Sequence, residues 1–364
     1  GVSFGPVGSL FFGWRISPRM HFGAGAYIEA GYGATYDDVA NVDGEPDEVV
    51  GTEPQDQSVT FFTGELATGP SIEINEQWSV GIMLRLPIAV QRADLYQNIG
   101  AASPVPNPTY GRIRNEIGGV GFPSVRIGIA YKPNDMWTIG AAWRAYTKVT
   151  MTGSTDTGID IPGLETLNAR ADWVTPNALQ VGSSVKLVDK KLLVAVEIRM
   201  QFHGAKKQGN QTQTIQVSLP RGAPPGLEAL LPAPTVAPLF WKNVYLLKTG
   251  LEYQVIDLLA IRFGFLVGNS NVREQFAQIF TPPPGINTSV QTGLGFNWDR
   301  VDFDLGFLFQ QSKHTIGPEV AEEPVEVNGE LINLCSRDQV VRTGCAGDYK
   351  IRSFFFSTQL TYHF

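Results

Sequence analysis

The chain has 364 residues, a formal net charge of −7, 39 glycines, and only 17% charged residues against 43% hydrophobic ones. This mildly acidic chain has no basic stripe of the kind that binds nucleic acid, and no apolar run approaches the roughly 18 residues of a membrane-spanning helix. Length alone allows about two domains, but large all-β barrels exceed that size as one unit, and we expect a single barrel over residues 1–364.

One unit recurs along the chain. A run that alternates apolar and polar residues meets a short turn, and a second alternating run follows it. Alternation with period 2 predicts β-strands with one apolar face. The units, in chain order, are SLFFGWRI-SPR-MHFGAGAYIEAGY, SIEI-NEQ-WSVGIMLRLPIAV, SVRIGIAY-KPND-MWTIGAAWRAYTKV, LQVGSSVKL-VDK-KLLVAVEIRMQF, VYLLKTGLEY-QVID-LLAIRFGFLV and SVQTGLGFNW-DR-VDFDLGFLF. The closing segment YKIRSFFFSTQLTYHF predicts one further strand.

The turns within these units are short, whereas every link between units is long. The long links are residues 37–57, 96–116, 154–172, 205–239, 270–285 and 313–347. Short periplasmic turns and long extracellular loops are typical of outer-membrane barrels, and a sheet in lipid has to close because free strand edges there leave polar groups unpaired. The sequence therefore predicts an all-β protein, a transmembrane antiparallel β-barrel of the bacterial outer membrane.

The predicted strands number about thirteen, whereas bacterial single-chain barrels use even numbers. We therefore expect a full barrel of about fourteen strands, with the first strand and an amino-terminal hatch segment absent from this chain. The opening residues GVSFGPVG also lack the basic region of a signal peptide.

Two features of the carboxyl-terminal region carry further predictions. In the last strand, Leu360, Tyr362 and Phe364 share one face, which resembles the signal that the barrel-assembly machinery reads in outer-membrane proteins. Cys335 and Cys345 lie ten residues apart in a polar stretch. Their spacing favours a loop disulfide in an oxidising compartment, and two free thiols are the alternative.

Several segments together resemble the FadL family of outer-membrane transporters for hydrophobic compounds. They include FFGWRISPRMHFGAGAYIEAGYG, SVRIGIAYKPNDMWTIGAAWRAYTKVTMTG, ADWVTPNALQVGSSVKLVDKKLLVAVEI and LLKTGLEYQVIDLLAIRFGFLVGNSNV. The resemblance implies capture of a ligand outside, a pocket in the lumen, a hatch, and sideways exit through the wall. The link 96–116 is short for the family's capture element, and the apolar link 205–239 is an alternative.

A pocket for an amphiphile needs apolar lining and a cation or donor for the head group. Strand parity places both kinds of side chain on the lumen face. These are Phe11, Tyr27, Phe61, Met83, Leu246, Leu266, Leu308 and Phe355, with the cations Arg85, Arg144 and Lys248. The alternative for the cations is an ion-pair network that braces the barrel without touching ligand.

Proline within a strand cannot donate to the ladder and marks a break or bend. Gly69 and Pro70 in one strand, and Gly121 and Pro123 in another, are therefore candidates for a lateral gate. A simple bend is the alternative.

The function that these observations favour is passive transport of hydrophobic or amphiphilic small molecules, fatty-acid-like, with a lumenal pocket and lateral exit into the membrane. The alternative is a structural or docking barrel in an outer-membrane, secretion or surface assembly, with a protein partner. No enzyme activity and no cofactor are expected, since the four histidines show no metal spacing. The acidic stretches 37–57 and 319–330 could bridge through divalent ions to lipopolysaccharide, or be solvated loops.

Overall fold

The computed structural model describes residues 8–39, 55–98, 110–157, 163–231, 235–278, 281–327, 330–335 and 344–364. Almost all of its regular structure is β-strand. The strands are β1 (Ser9–Ser17), β2 (Met20–Val39), β3 (Gln55–Glu73), β4 (Trp78–Asn98), β5 (Tyr110–Val120), β6 (Ser124–Tyr131), β7 (Trp137–Arg144), β8 (Thr147–Asp156), β9 (Thr166–Thr175), β10 (Ala178–Leu187), β11 (Leu192–Gln201), β12 (Thr212–Ser218), β13 (Thr235–Pro238), β14 (Val244–Ile256), β15 (Leu259–Asn269), β16 (Ile286–Trp298), β17 (Val301–Ile316), β18 (Val325–Val327), β19 (Glu330–Ile332) and β20 (Gly347–Tyr362). The helices are α1 (Pro318–Glu322) and two short 3-10 turns, Leu227–Leu230 and Glu274–Phe276. No helix in these ranges is long and apolar enough to cross a bilayer.

One antiparallel sheet of 18 strand segments forms the wall. Five strands of the wall are each interrupted once, so each appears as two segments: β5 and β6, β7 and β8, β9 and β10, β11 and β12, and β13 and β14. The described residues therefore make 13 wall strands. Strands β1 and β20 are the edges, since β1 pairs only with β2 and β20 only with β17 in the described ranges. Because neighbouring strands alternate in direction, β1 and β20 run the same way. The predicted all-β fold is confirmed, and the predicted extra strand and hatch stay predictions.

The short turns lie together at one end, as the sequence predicted. Two of them are fixed by an asparagine: Asn75 Oδ1 accepts hydrogen bonds from the backbone N–H of Gln77 and Trp78, and Asn134 does the same at the next hairpin. This side-chain mimicry of a turn holds the chain reversal without extra residues. At the opposite end β2, β3, β4, β5, β8, β9, β12 and β17 extend into stretches that the sequence analysis assigned to loops.

Below the interruptions, the wall faces lipid with apolar side chains and the lumen with small or polar ones. On β4, Ile82 and Leu84 are about half exposed on the outside, whereas Arg85 is fully buried on the lumen side. The lipid-facing set continues around the wall with Ile127, Ile129, Ile139, Trp143, Val181, Val196, Ile198, Leu247, Leu251, Ile261 and Phe263. This alternation is the one that a lipid-spanning strand requires.

Above the interruptions, the same wall reverses its polarity. The inner face of β3, β4, β5, β8 and β9 becomes an apolar core, and the outer face becomes polar. The core comprises Phe61, Ala89, Ile117, Val149, Met151, Ala169, Ala171, Trp173, Leu239, Trp241, Val272, Ala277 and Ile316. The outward side chains of β8 are Lys148, Thr150, Thr152, Ser154 and Asp156. We call this part of the sheet the outer panel, because its polar outside belongs in water rather than in lipid.

The segments between strands close over the mouth of the barrel at this level. Leu239, Trp241, Val272 and Ala277 lie outside the long strands and enter the core beside the outer panel. Nearby, Gly344 N donates to the carbonyl of Ala277 at 2.7 Å. Cys335 and Cys345 form a disulfide with Cα atoms 5.2 Å apart, in the link that the sequence analysis placed at 313–347.

Candidate functional site

Strand β2 contains a bulge at Glu29, close to the inward-facing Tyr27. Tyr27 pairs with Glu65 and Ala30 pairs with Thr63 on β3, and Glu29 is the extra residue between them. A bulge of this kind bends a strand and re-aims side chains. Here it leaves Glu29 facing the lumen beside Tyr27, and both residues line the lumenal cavity.

A buried ion pair on β3 and β4 lies next to the bulge. Arg85 and Glu65 are almost completely buried, and Nε and Nη2 of Arg85 donate to the two carboxylate oxygens of Glu65. Tyr27 Oη donates to Glu65 Oε2 at 2.5 Å, and Arg126 approaches the same carboxylate at 3.6 Å. Arg85 Nη1 also donates to the carbonyl of Ala145 at 3.2 Å. Arg85 is therefore held in place from two sides.

A second acid on the lumen face is shared by two arginines. Glu29 forms ion pairs with Arg144 and with Arg199, the latter at 3.1 Å. Arg144 Nη2 donates to the carbonyl of Pro176 at 3.3 Å. In this part of the lumen, as described, four arginines meet two glutamates. The cluster, which we call the arginine cluster (Arg85, Arg126, Arg144 and Arg199), therefore carries excess positive charge.

Aromatic rings cover the arginine cluster on the extracellular side. Phe61 packs against Trp173 with centroids 4.5 Å apart, and Trp241 packs edge-on against Trp173 at 5.3 Å. His203 is edge-on to Trp241 at 5.3 Å. Burial, with the charges of Arg144 and Arg199, lowers the pKa of His203 to about 3. The ring is therefore neutral, and it adds no charge to the cluster.

Two buried donors at this place have no partner in the described part of the chain. They are Nε of Arg144, a residue only 3% exposed, and Nε1 of Trp241, which is 5% exposed. Buried donors are nearly always hydrogen-bonded, so an unpartnered one calls for an explanation. Both residues line the lumenal cavity of about 4360 Å³. A ligand with an acceptor group would satisfy these donors.

The wall beside the arginine cluster is interrupted on consecutive strands. The interruptions are residues 121–123, 145–146, 176–177, 202–211 and 239–243, which we call the break line. Some backbone hydrogen bonds persist here, including Phe122 N to the carbonyl of Lys148 at 3.3 Å and Ala145 N to the carbonyl of Val125 at 3.0 Å. Side chains add to them: Ser124 Oγ donates to the carbonyls of Ala145 and Tyr146, and Thr147 Oγ1 donates to the carbonyl of Phe122 at 2.7 Å. Asn177 Oδ1 accepts from Tyr146 N at 3.0 Å.

The eleven predicted ligand residues all lie on the lumen face by strand register, but they do not form one group. Tyr27, Arg85 and Arg144 meet at the arginine cluster, and Phe61 lies in the core above it. Lys248 is on β14, where it pairs with Glu197 at 2.8 Å. Phe11 stacks against Tyr27 with ring centroids 5.8 Å apart, and Met83 and Leu246 pair in register with Arg126 and Arg199 of the cluster. The other three predicted residues face the lumen farther along the wall, namely Leu266, Leu308 and Phe355.

The predicted gate residues divide in the same way. Gly121 and Pro123 lie in the break line, as expected of a proline that cannot join a ladder. Gly69 and Pro70, in contrast, lie inside β3, whose ladder with β2 runs through them without a register shift. The ladder of β3 with β4 skips both residues, between the pairs Thr68–Leu84 and Ser71–Gly81. Strand pairing is therefore incomplete at both predicted places, but a strand ends only at the break line.

Sequence reasoning missed Trp173, Trp241 and Glu29 as site residues. Glu29 carried a usable signal, because it is a single acid in the otherwise uncharged run GAGAYIEAG. Trp173 precedes Pro176 and Asn177, which mark the end of β9. Nothing local to Trp241 indicates that its segment folds back into the barrel mouth.

A family model described as outer membrane protein transport protein (OMPP1/FadL/TodX) matches residues 5–364. No curated protein sequence matches the chain.

Among solved structures, a Pseudomonas aeruginosa FadL homologue is 16% identical, with a TM-score of 0.71 over 97% of this chain and 77% of that protein. The Pseudomonas putida toluene transporter TodX is 14% identical, with a TM-score of 0.68 over 98% and 81%. The Ralstonia pickettii toluene transporter TbuX is 16% identical, with a TM-score of 0.67 over the same shares. At these identities the likeness shows a shared barrel fold.

Proposed function

Because the chain belongs to the OMPP1/FadL/TodX family of bacterial outer-membrane proteins that transport hydrophobic compounds, we propose that it carries an amphiphile with an anionic head group, fatty-acid-like, from the outside to the membrane. The head group is held at the arginine cluster and the molecule leaves through the break line. No catalytic step and no cofactor is part of this proposal. Transport is passive, since each step only needs to lead to a lower free energy.

The observation that carries the proposal is the pair of unpartnered donors, Arg144 Nε and Trp241 Nε1. A carboxylate can accept from both, and a hydrogen bond to a charged group is about twice as strong as a neutral one. The excess of arginine over glutamate supplies the compensating charge. A wholly apolar hydrocarbon would leave both donors unpaired, which is costly in a buried site.

The apolar part of the ligand has a matching surface above the head group. Phe61, Trp173 and Trp241 present ring faces and edges directly over the arginine cluster. They belong to a packed core rather than an open chamber. An acyl chain therefore has to displace some of these contacts when it enters from the extracellular side.

The ligand could leave the arginine cluster along the lumen toward the short turns or sideways through the break line, and the polarity of the two routes favours sideways exit. Toward the short turns, the lumen wall carries charged side chains in ion pairs, including Glu197 with Lys248 and Arg262 with both Glu252 and Asp304. Outside the break line, Val120 and Phe122 expose 57% and 77% of their surface. The free energy of an acyl chain is therefore lower against the apolar surface than along the ionic wall.

Binding by the full-length folded chain in detergent micelles tests the head-group site. The probes are a long-chain fatty acid and the hydrocarbon of equal chain length. Arg144→Met keeps the side-chain bulk but removes the charge and the free donor, and Trp241→Phe removes the indole N–H alone. We expect each variant to bind the fatty acid about tenfold more weakly and the hydrocarbon unchanged.

Arg262→Met is the matched control, because it removes a lumenal guanidinium near the short turns, away from the arginine cluster. It should leave fatty-acid binding as in the wild type. If wild-type protein binds the two probes equally and Arg144→Met alters neither, the head-group site is wrong. If no probe binds at all, the structural or docking role becomes the better description of this barrel.

A further inference from the structure

The outward face of the outer panel changes from apolar to polar and charged within a few residues of the break line. Along β8, the outward side chains run from Tyr146 at the break to Lys148, then Thr150 and Thr152. Tyr146 is 42% exposed and Phe122, on the neighbouring strand, is 77% exposed. This transition marks the level at which lipid tails give way to lipid head groups.

A polar cavity of about 470 Å³ opens on this face between β9 and β12. The lining residues are Arg170, Ala171, Asp172, Thr212, Thr214 and Gln216. All but Ala171 lie on the positions of β9 and β12 that alternate with the core residues Ala169 and Ala171, so their side chains are on the outer face. No residue of this cavity also lines the lumenal cavity.

The charges around the cavity are unevenly satisfied. Lys148 Nζ lies 2.6 Å from Asp172 Oδ2, and Thr150 Oγ1 donates to Asp172 Oδ1 at 2.7 Å. These hydrogen bonds outweigh partial burial and lower the pKa of Asp172, so the carboxylate is charged and already neutralised. The charge of Arg170 also helps to lower that pKa. The Arg170 side chain has no hydrogen bond or ion pair to any residue in the described ranges, so its guanidinium can donate to a ligand beside the hydroxyl and amide groups of the cavity.

We propose that this outer cavity binds the phosphate of a phosphorylated glycolipid in the outer leaflet. A guanidinium matches two phosphate oxygens at once, and Thr212, Thr214 and Gln216 can donate to the remaining oxygens. Phe122 and Tyr146 provide an apolar surface for the acyl chains below. The site needs no ligand in the lumen, so it is independent of the transport proposal.

The test is binding of lipid A to the full-length protein, measured by native mass spectrometry of the detergent-solubilised barrel. Arg170→Gln removes the charge and keeps the length of a polar side chain. We expect about tenfold less lipid A bound to this variant, and no change in fatty-acid binding. Lipid A from which both phosphates have been removed should bind to the wild type as weakly as lipid A binds to Arg170→Gln.

Arg92→Gln is the matched control. Arg92 faces outward on β4, is 69% exposed and pairs with Glu116 at 2.7 Å, but it lies outside the cavity. The proposal predicts that this variant binds lipid A as the wild type does. Equal loss in Arg92→Gln and Arg170→Gln would show a diffuse charge effect and overturn the site. Undiminished binding of dephosphorylated lipid A would also overturn the site. Inorganic phosphate at millimolar concentration should compete only weakly, because it lacks the acyl chains.

Discussion

Arg85 and Glu65 form an ion pair across β3 and β4 with almost no exposed surface on either side chain. Removing one partner of a buried pair leaves a charge without compensation, which costs about 3–5 kcal/mol. We therefore expect Arg85→Met to lower the free energy of unfolding strongly, measured by urea titration in detergent micelles. Glu65→Gln should lose at least as much, because both Arg85 and Arg126 then lack their counter-ion.

The double variant with Arg85→Met and Glu65→Gln separates the pair from its surroundings. If the ion pair dominates, the double variant should be more stable than the sum of the two losses predicts. Strict additivity would mean that Arg85 acts mainly through its bond to the carbonyl of Ala145.

Glu29 competes with any anionic ligand for Arg144 and Arg199. Replacing it with glutamine removes one negative charge from the arginine cluster. We expect Glu29→Gln to bind a fatty acid more tightly while lowering thermal stability, because two arginines lose their counter-ion. Calorimetric titration and a melting curve measure the two effects. Weaker binding would place Glu29 in direct contact with the ligand instead.

Asp94 on the outer panel confers a pH dependence. The hydrogen bond from Arg112, opposed by partial burial and supported by Arg114, lowers the pKa of Asp94 below its ordinary value of 3.8. A lowered pKa in the folded state stabilises the fold above the unfolded value, and the contribution is lost as the pH falls through the folded value. Wild type should therefore be more stable than Asp94→Asn at about pH 6, and the difference should shrink toward about pH 3.

Sideways exit can be tested with a single reactive thiol, because both native cysteines are in the disulfide. A bulky maleimide on Phe122→Cys, at the break line, should slow fatty-acid uptake by cells that depend on this protein. The same label on Val181→Cys, which also faces lipid but lies in the unbroken strand β10, should not. Equal uptake by both labelled proteins would contradict exit at the break line.

Much of the fold followed from local pattern. Alternation and short turns predicted the hairpins because a lipid-facing strand has to be apolar on every second residue, as Ile82 and Leu84 are. The same rule missed the outer panel. In the outer panel the polar residues face out and the apolar ones face in. Alternation of residue type is the same in both cases, so it does not distinguish Lys148, which faces water outside the barrel, from a lysine that faces the lumen. The parts of the outer-panel strands at residues 110–116, 154–156 and 166–172 were assigned to loops for this reason.

The site was predictable only where a side chain's face decided its role. Tyr27, Arg85 and Arg144 were placed correctly on the lumen face by counting in twos. Trp241 was not, because its position depends on a segment between strands that returns to the mouth over a long sequence separation. The pairing of Arg199 with Glu29, 170 residues apart, likewise depends on β2 and β11 facing each other across the lumen rather than on neighbours in sequence.

The reversal of polarity at the break line divides each interrupted strand into two stretches with opposite substitution rules. Below it, an outward charge such as Val181→Lys would have to enter hydrocarbon, and at the bilayer centre such a change costs about 2–4 kcal/mol. Above it, an outward charge at Thr152 is solvated, and an inward one at Met151 would be buried in the core. When charged substitutions are scanned along the chain, the positions that tolerate them should therefore switch from the lumen-facing to the outward-facing residues within two or three residues of 145–146 and 176–177. The position of that switch would locate the water boundary of the membrane without any structure.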